Sequence, residues 1–164
     1  LSPQTPLPEL EKLCEQAEIS VAPTWVAGKM VEELFEHHVI PSLSMPTFVM
    51  DYPVDTSPLV RAHRSKPGVV EKWDLYVGGV EQATGYSELV DPVIQRDRLT
   101  EQASLVARGD DEAMSVDEDF LRALEHGMPP CGGVGLGIDR LLMNLTGYGI
   151  RETILFPLVK PERK

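Results

Sequence analysis

Apolar residues recur at helical spacing over residues 8–19 (PELEKLCEQAEI), where Leu10, Leu13 and Ala17 share a face behind Pro8. Residues 28–38 repeat the pattern with Met30, Val31, Leu34 and Phe35, and Pro41 lies at or just past the end of that second amphipathic helix. The period then changes. Residues 47–52 (TFVMDY) gather β-branched and aromatic side chains between prolines and predict a strand, and residues 57–63 predict a short helical turn. Residues 71–77 (EKWDLYV) alternate, which puts Trp73, Leu75 and Val77 on one side of a second strand. Gly78 and Gly79 mark a tight turn, so a hairpin with residues 80–88 follows.

Asp91-Pro92 is a helix opening, with the aspartate as cap and the proline at the first position. A polar helix is predicted to about Arg108, broken by Gly109, Asp110 and Asp111. Asp117 caps a further helix through Glu125, with Phe120, Leu121 and Leu124 as its buried side and Gly127 as its stop. Pro129 and Pro130 lead into GGVGLGIDRLLM, a glycine-rich strand that runs into a helix over residues 138–145. Residues 154–157 predict a short apolar strand or extended tail. Hairpins outnumber crossovers, so the fold class is α+β with an antiparallel sheet. No internal repeat, low-complexity segment or flexible linker interrupts it.

Composition adds bounds rather than identity. The 164 residues suffice for one domain with a core, and 42% hydrophobic with 25% charged residues is ordinary globular usage. No apolar run approaches membrane-spanning length, and no leader-like pattern opens the chain. The first residue is Leu1 rather than Met, which points to a preceding segment or to processing. A net charge of −11 gives no basic footprint for nucleic acid. The one basic cluster, Arg61, His63, Arg64 and Lys66, reads as a solvated loop. Cys14 and Cys131 form no CxxC pair and read as reduced thiols of a cytoplasmic protein.

Chemistry concentrates in two places. In the glycine block, alternate glycines let a backbone approach a ligand, and Arg140 at the helix start offers a guanidinium fork suited to phosphate oxygens. A tight strand–helix packing contact with a surface arginine is the competing reading. In VEQATGYSELVDP, residues 80–92, strand alternation puts Thr84, Tyr86 and Glu88 on one side and leaves Glu81 out of phase. A bulge between Glu81 and Thr84 would restore it to that side. Two carboxylates near phosphates make a hard-oxygen site for Mg²⁺, and a carboxylate beside a ring suits an ammonium group. Taken alone, the two glutamates read equally as hairpin surface charges.

Other clusters read blandly. Asp110, Asp111, Glu112, Asp117, Glu118 and Asp119 lack calcium-loop spacing and read as solvated loop and caps. His37 and His38 are adjacent and cannot share a helix face as a metal pair, while His126 sits near a helix end.

Together these segments resemble a known family. VEQATGYSELVDPVIQRDRL, GDDEAMSVDEDFLRALEHGMPP, GGVGLGIDRLLMNLTG and IRETILFP, in that order and preceded by TFVMDYPVDTSPL, resemble the C-terminal half of the catalytic domain of class II lysyl-tRNA synthetases. The likeness covers roughly residues 47–157. It implies a class II synthetase-like antiparallel sheet flanked by helices, incomplete here, with residues 1–46 resembling an insertion and 47–164 carrying the third signature motif. The implied reaction is ATP-dependent activation of lysine to lysyl-adenylate, then transfer to tRNA(Lys) by a homodimeric enzyme. By the resemblance, Gly137, Ile138, Asp139 and Arg140 would bind ATP, with Arg140 on the γ-phosphate. Glu81 and Glu88 would hold Mg²⁺, and Thr84, Tyr86, Glu88 and Gly135 would face lysine. Arg140, Glu81 and Glu88 would be the catalytic set.

The departures matter too. Thr84 stands where the family usually has asparagine, Val90 replaces another asparagine, and Cys131 a threonine. The Thr84 pattern and the IRETILFP ending resemble the synthetase module of bifunctional lysyl-phosphatidylglycerol-forming proteins. Nothing in the chain matches the family's first or second motif, or an anticodon-binding barrel, so these residues alone are expected not to form adenylate. A paralogue that activates an amino acid for a non-tRNA or lipid pathway, and a non-catalytic synthetase-like binding module, stand as the alternatives.

Overall fold

The protein is described by a computed structural model covering residues 1, 5–109 and 113–158. The acidic reading of Asp110, Asp111 and Glu112 lies outside the described residues. Two helices come first, α1 (Leu7–Gln16) and α2 (Ala27–His38). They bury Leu10, Cys14, Ala17, Met30 and Leu34 between them. α1 stops at Gln16, short of the expected Ile19. Glu18 takes a left-handed φ of 57°, its N–H bonds Glu15 O at 3.0 Å, and the Ile19 N–H reaches back to Cys14 O at 2.9 Å. That pair of bonds closes a helix end at a position where glycine is usual. A glutamate there hid the stop.

Strands β1 (Thr47–Met50), β2 (Lys72–Val77), β3 (Val80–Ser87) and β4 (Gly132–Leu136) form one sheet in chain order, each neighbour antiparallel. The expected α+β architecture with an antiparallel sheet is present. The β2–β3 hairpin turns at Gly78 and Gly79, with φ of 59° and 76°, as a two-residue turn requires. β1 ends at Met50 rather than Tyr52 because Asp51 adopts φ 68° and turns the chain.

Which side of the sheet is buried differs from expectation. Asp74 and Tyr76, not Trp73, Leu75 and Val77, are the buried positions of β2. Part of the reason is α2, which packs Phe35 edge-on against the Tyr76 ring at 6.2 Å. The opposite side keeps Phe48, Met50, Val134 and Leu136 exposed. There Trp73 lies against Gly85, its register partner, so closely that a Cβ on Gly85 would stand 2.3 Å from the indole.

The remaining helices are α3 (Pro92–Val106), α4 (Glu118–Glu125), α5 (Ile138–Thr146) and α6 (Ile150–Thr153). Asp91 caps α3 by accepting from the Val93 and Ile94 amides, and Asp117 caps α4 by accepting from Asp119 and Phe120. α4 buries Leu121 and Leu124 but leaves Phe120 partly exposed. Residues 57–63 are not helical. A single turn, Val60 N–H to Ser57 O at 3.2 Å, gives way to extended residues that bridge Val60 to Glu88 and Ala62 to Val70. Residues 154–157 form no strand, and the short α6 before them was not anticipated. Among the described residues, no helix is long and apolar enough to cross a membrane.

α2 is fastened to the segment after β1 by two polar contacts. Thr56 Oγ1 donates to Glu32 Oε1 at 2.6 Å, and the Gly28 N–H donates to Asp55 Oδ2 at 3.0 Å. Burial raises the Glu32 carboxyl pKa from its ordinary 4.5, against the lowering effect of Thr56, Lys72 and Lys29. A raised carboxyl pKa means that ionisation costs stability: the full value is present below the ordinary pKa and is lost as pH rises through the folded one. Glu32→Gln keeps an acceptor oxygen for Thr56 and removes the charge. It is expected to raise the thermal midpoint at pH 7, with the gain closing toward pH 4. Melts followed by circular dichroism across that range would show it, and a pH-independent difference would contradict it.

Candidate active site

The site is built on the side of the sheet that carries Asp74 and Tyr76. Thr84 stands opposite Asp74, and Tyr86 opposite Lys72, so these residues share a face. The register then shifts: Leu75 pairs with Ala83, but Tyr76 pairs with Glu81, leaving Gln82 as the extra residue. This is the irregularity expected between Glu81 and Thr84, and it rotates Glu81 onto the same side. On the next strand Gly135 stands opposite Thr84, and Gly133 opposite Tyr86. These glycines supply room. A Cβ on Gly133 would lie 2.4 Å from Glu88 Oε1, so the Glu88 carboxylate rests directly on that backbone.

The β4–α5 junction closes one end. Gln82 O accepts from the Gly137 N–H at 3.0 Å, and Gln82 Nε2 donates to Gly137 O at 2.9 Å. Asn144 of α5 donates to Gln82 Oε1. The bulged residue thereby anchors the helix start that carries Asp139 and Arg140. Arg140 Nη1 donates to Glu81 O at 2.7 Å and lies 3.5 Å from Glu81 Oε1, with both side chains more than two-fifths exposed. Glu81, Gly137 and Arg140 thus meet at one end, while Tyr86, Glu88 and Gly133 gather at the other. A cavity of about 550 Å³ opens near that second end, lined by Lys72, Tyr86 and Gly133 together with His63, Arg64 and, from the other face, Trp73.

Along the strand, Glu81 and Glu88 cannot both ligate a single Mg²⁺ ion. At about 3.3 Å per residue they stand roughly 20 Å apart, far beyond the ~2.1 Å bonds of a single Mg²⁺. Asp74 is the carboxylate that the sequence reading missed. Glu81 faces Tyr76, two residues along β2 from Asp74, so Asp74 and Glu81 are diagonal neighbours on one face. Asp74 is 3% exposed, its Oδ2 lies 3.2 Å from Lys72 Nζ, and its Oδ1 has no hydrogen-bond partner among the described residues. Thr84 Oγ1 is likewise buried without a partner there, and the Tyr52 hydroxyl faces the same Asp74 carboxylate. Buried polar atoms are normally satisfied, so unpartnered oxygens on this one face are what a ligand would complete. The signal was present in EKWDLYV as a carboxylate inside an otherwise apolar strand.

Electrostatics mark the same face. Burial first, and then the Asp74 carboxylate, hold the Tyr52 phenol well above its usual range. Lys72 Nζ sits 4.1 Å from the Tyr52 ring centroid. Burial, with the Glu88 charge added, raises Tyr86 as well. The basic loop is internally neutralised: Arg64 pairs with Glu71 at 2.9 Å, and Lys66 and His63 both approach Asp51. Among the described residues, no three His, Cys, Asp or Glu side chains come together as a metal cluster.

A bulged strand opposite a glycine-lined strand, running into an arginine-bearing helix, matches a known domain. The family model for tRNA synthetases class II (D, K and N) covers residues 18–160. The chain belongs to the class II tRNA synthetases. It is 67% identical over 162 residues to a Lysine--tRNA ligase of Kineococcus radiotolerans, a match covering 98% of this chain and 32% of that protein. It is 58% identical to Lysine--tRNA ligase 1 of Mycobacterium tuberculosis, over 98% of this chain and 33% of that protein. It is 55% identical to the Lysylphosphatidylglycerol biosynthesis bifunctional protein LysX of Rhodococcus opacus, over 99% of this chain and 15% of that protein. The chain therefore spans about a third of the length of the ligases it matches.

In this class II synthetase segment the Arg140–Glu81 pair is exposed, so it contributes little to folding. Arg140→Met is expected to change the unfolding free energy by less than about 1 kcal/mol. Urea unfolding would measure it, and a larger loss would make the pair a structural tie.

Proposed function

We propose that the segment forms the amino-acid and phosphate side of a lysine--tRNA ligase site, which activates lysine with ATP and passes it to tRNA(Lys). The observation that carries this reading is the register of β3. One bulge aligns Glu81 with Thr84 and Tyr86 on a single face, over glycines that leave the opposing strand bare, and Glu88, just past the strand, rests on Gly133 of that face. The names borne by relatives of 58–67% identity support lysine as the amino acid.

In this reading Glu88 accepts the ε-ammonium of lysine, Tyr86 walls the side chain, and Thr84 and Gly135 face the amino-acid head. Gly137, Ile138 and Asp139 form the nucleotide end, where Arg140 holds the γ-phosphate. Glu81 and Asp74 would hold Mg²⁺, which neutralises phosphate charge when bound. The unpartnered Asp74 Oδ1 and the hard-oxygen chemistry of both carboxylates fit that ion. The chemistry asked of these side chains is positioning and charge neutralisation, with no nucleophilic side chain required. α1 and α2 serve as the insertion, with α2 resting against the site's wall through Phe35. tRNA and a second copy of the protein are engaged through surfaces beyond this face.

ATP–pyrophosphate exchange in the full natural chain, run with lysine against other amino acids and followed by tRNA charging, tests the reading. Lysine-dependent exchange without charging, accompanied by lysine transfer to lipid, would favour the activity named for the bifunctional relative. Neither exchange nor ATP binding would leave a binding module. Gly133→Ala offers a sharper check, because its methyl must displace the Glu88 carboxylate. It is expected to raise KM for lysine by about tenfold or more, with KM for ATP within about twofold. Equal effects on both substrates would contradict the assignment of Glu88.

A further inference from the structure

Glu88 lies just past β3, where a regular ladder no longer holds it, yet its backbone is fixed from both sides. Its N–H donates to Cys131 O at 3.0 Å on the side of β4. On the other side Val60 bridges Glu88, the Arg61 N–H donates to Ser87 O at 2.9 Å, and the Leu89 N–H donates to Leu59 O at 3.1 Å. The 57–60 turn thus acts as a short extra strand under Glu88. A turn of this kind needs support of its own, and α3 provides it. Gln95, 0% exposed, donates from Nε2 to Pro58 O at 3.0 Å. Arg98 Nη1 donates to Ser57 O at 3.3 Å and also to Val60 O. Those three carbonyls belong to the turn itself. Burial lowers the Arg98 guanidinium pKa, opposed by the Glu101 charge.

We propose that Gln95 and Arg98 are positioning residues for Glu88: by holding the 57–60 turn they aim its carboxylate and set how strictly the site demands an ammonium group. The inference rests on the reading of Glu88 as the ammonium partner of lysine. It goes beyond that reading by placing the origin of selectivity on a helix that does not line the cavity beside Glu88. A part-buried guanidinium spent on backbone carbonyls rather than on a carboxylate is costly unless the geometry it fixes is needed.

The test uses the full natural chain and amino-acid-dependent ATP–pyrophosphate exchange. Arg98→Met keeps the length and loses the donors. It is expected to raise KM for lysine about tenfold, with kcat and KM for ATP within about twofold. It is also expected to narrow the preference for lysine over norleucine, which carries a methyl group in place of the ammonium. Because one nitrogen serves both carbonyls, Arg98→Lys is expected to return KM for lysine to within about threefold of wild type. Gln95→Leu should move KM for lysine in the same direction, and it carries the test if Arg98→Met fails to fold. With an active wild type, an unmoved KM for lysine, or a fall in kcat alone, overturns the proposal. A wild type that does not activate lysine removes the Glu88 reading, and this proposal with it.

Discussion

The constraint on which the rest depends is the single extra residue at Gln82. A regular β3 would send Glu81 to the side of the sheet opposite Thr84, Tyr86 and Glu88. The bulge turns it back, and the cost of an interrupted ladder is met by Gln82 itself. Its main-chain and side-chain groups take both polar atoms of Gly137 and the amide of Asn144. One residue therefore sets two things together: which way Glu81 points, and where α5 begins. Arg140 can meet Glu81 only because both are referred to the same anchor.

Glycine placement completes the shape on both sides of the sheet. Gly133 and Gly135 strip β4 on the face of Glu88 and Thr84, whereas Gly85 strips β3 on the other face, where the Trp73 ring lies close against it. Neither is a matter of backbone freedom, since none of these three glycines has a positive φ. Each is a matter of volume: a methyl group would meet a carboxylate at Gly133 and an indole at Gly85. The sheet is thus hollowed on one face for a ligand and filled on the other by its own aromatic ring.

How much of this could be read beforehand follows from how local each signal is. The Gly78-Gly79 turn, the Asp91 and Asp117 caps and the glycine strand were readable because each rests on residues within a few positions of one another. The end of α1 was not, since Glu18 occupies a conformation that its residue type does not announce. Asp74 escaped because alternation in EKWDLYV favours burying Trp73, Leu75 and Val77, and tertiary packing, in part that of α2 against Tyr76, reverses the choice. The bulge follows from the chemistry that needs it, whereas strand length keeps the same two glutamates from ligating one ion together. Alternation along a strand carries direction; separation along it depends on the residue count.

Charge shows why the two ends of this face must work as a unit. A chain of net −11 presents Asp74, Glu81 and Glu88 to a site that, on the proposed reading, must also receive phosphates. The facing cations are already engaged, Arg140 with Glu81 and Lys72 with Asp74. For a polyphosphate to enter, those partners must be exchanged rather than added. The Arg140–Glu81 contact suits exchange, being 3.5 Å long and open to water, where such pairs are weak. The Lys72–Asp74 contact does not, because Asp74 is almost wholly buried and Lys72 is also held over the Tyr52 ring. On the proposed reading, a phosphate would take Arg140 while a divalent cation takes Glu81, with Lys72 holding Asp74 in place. By the same reading, the lysine end would need no such exchange, since a cationic ligand would meet Glu88 directly.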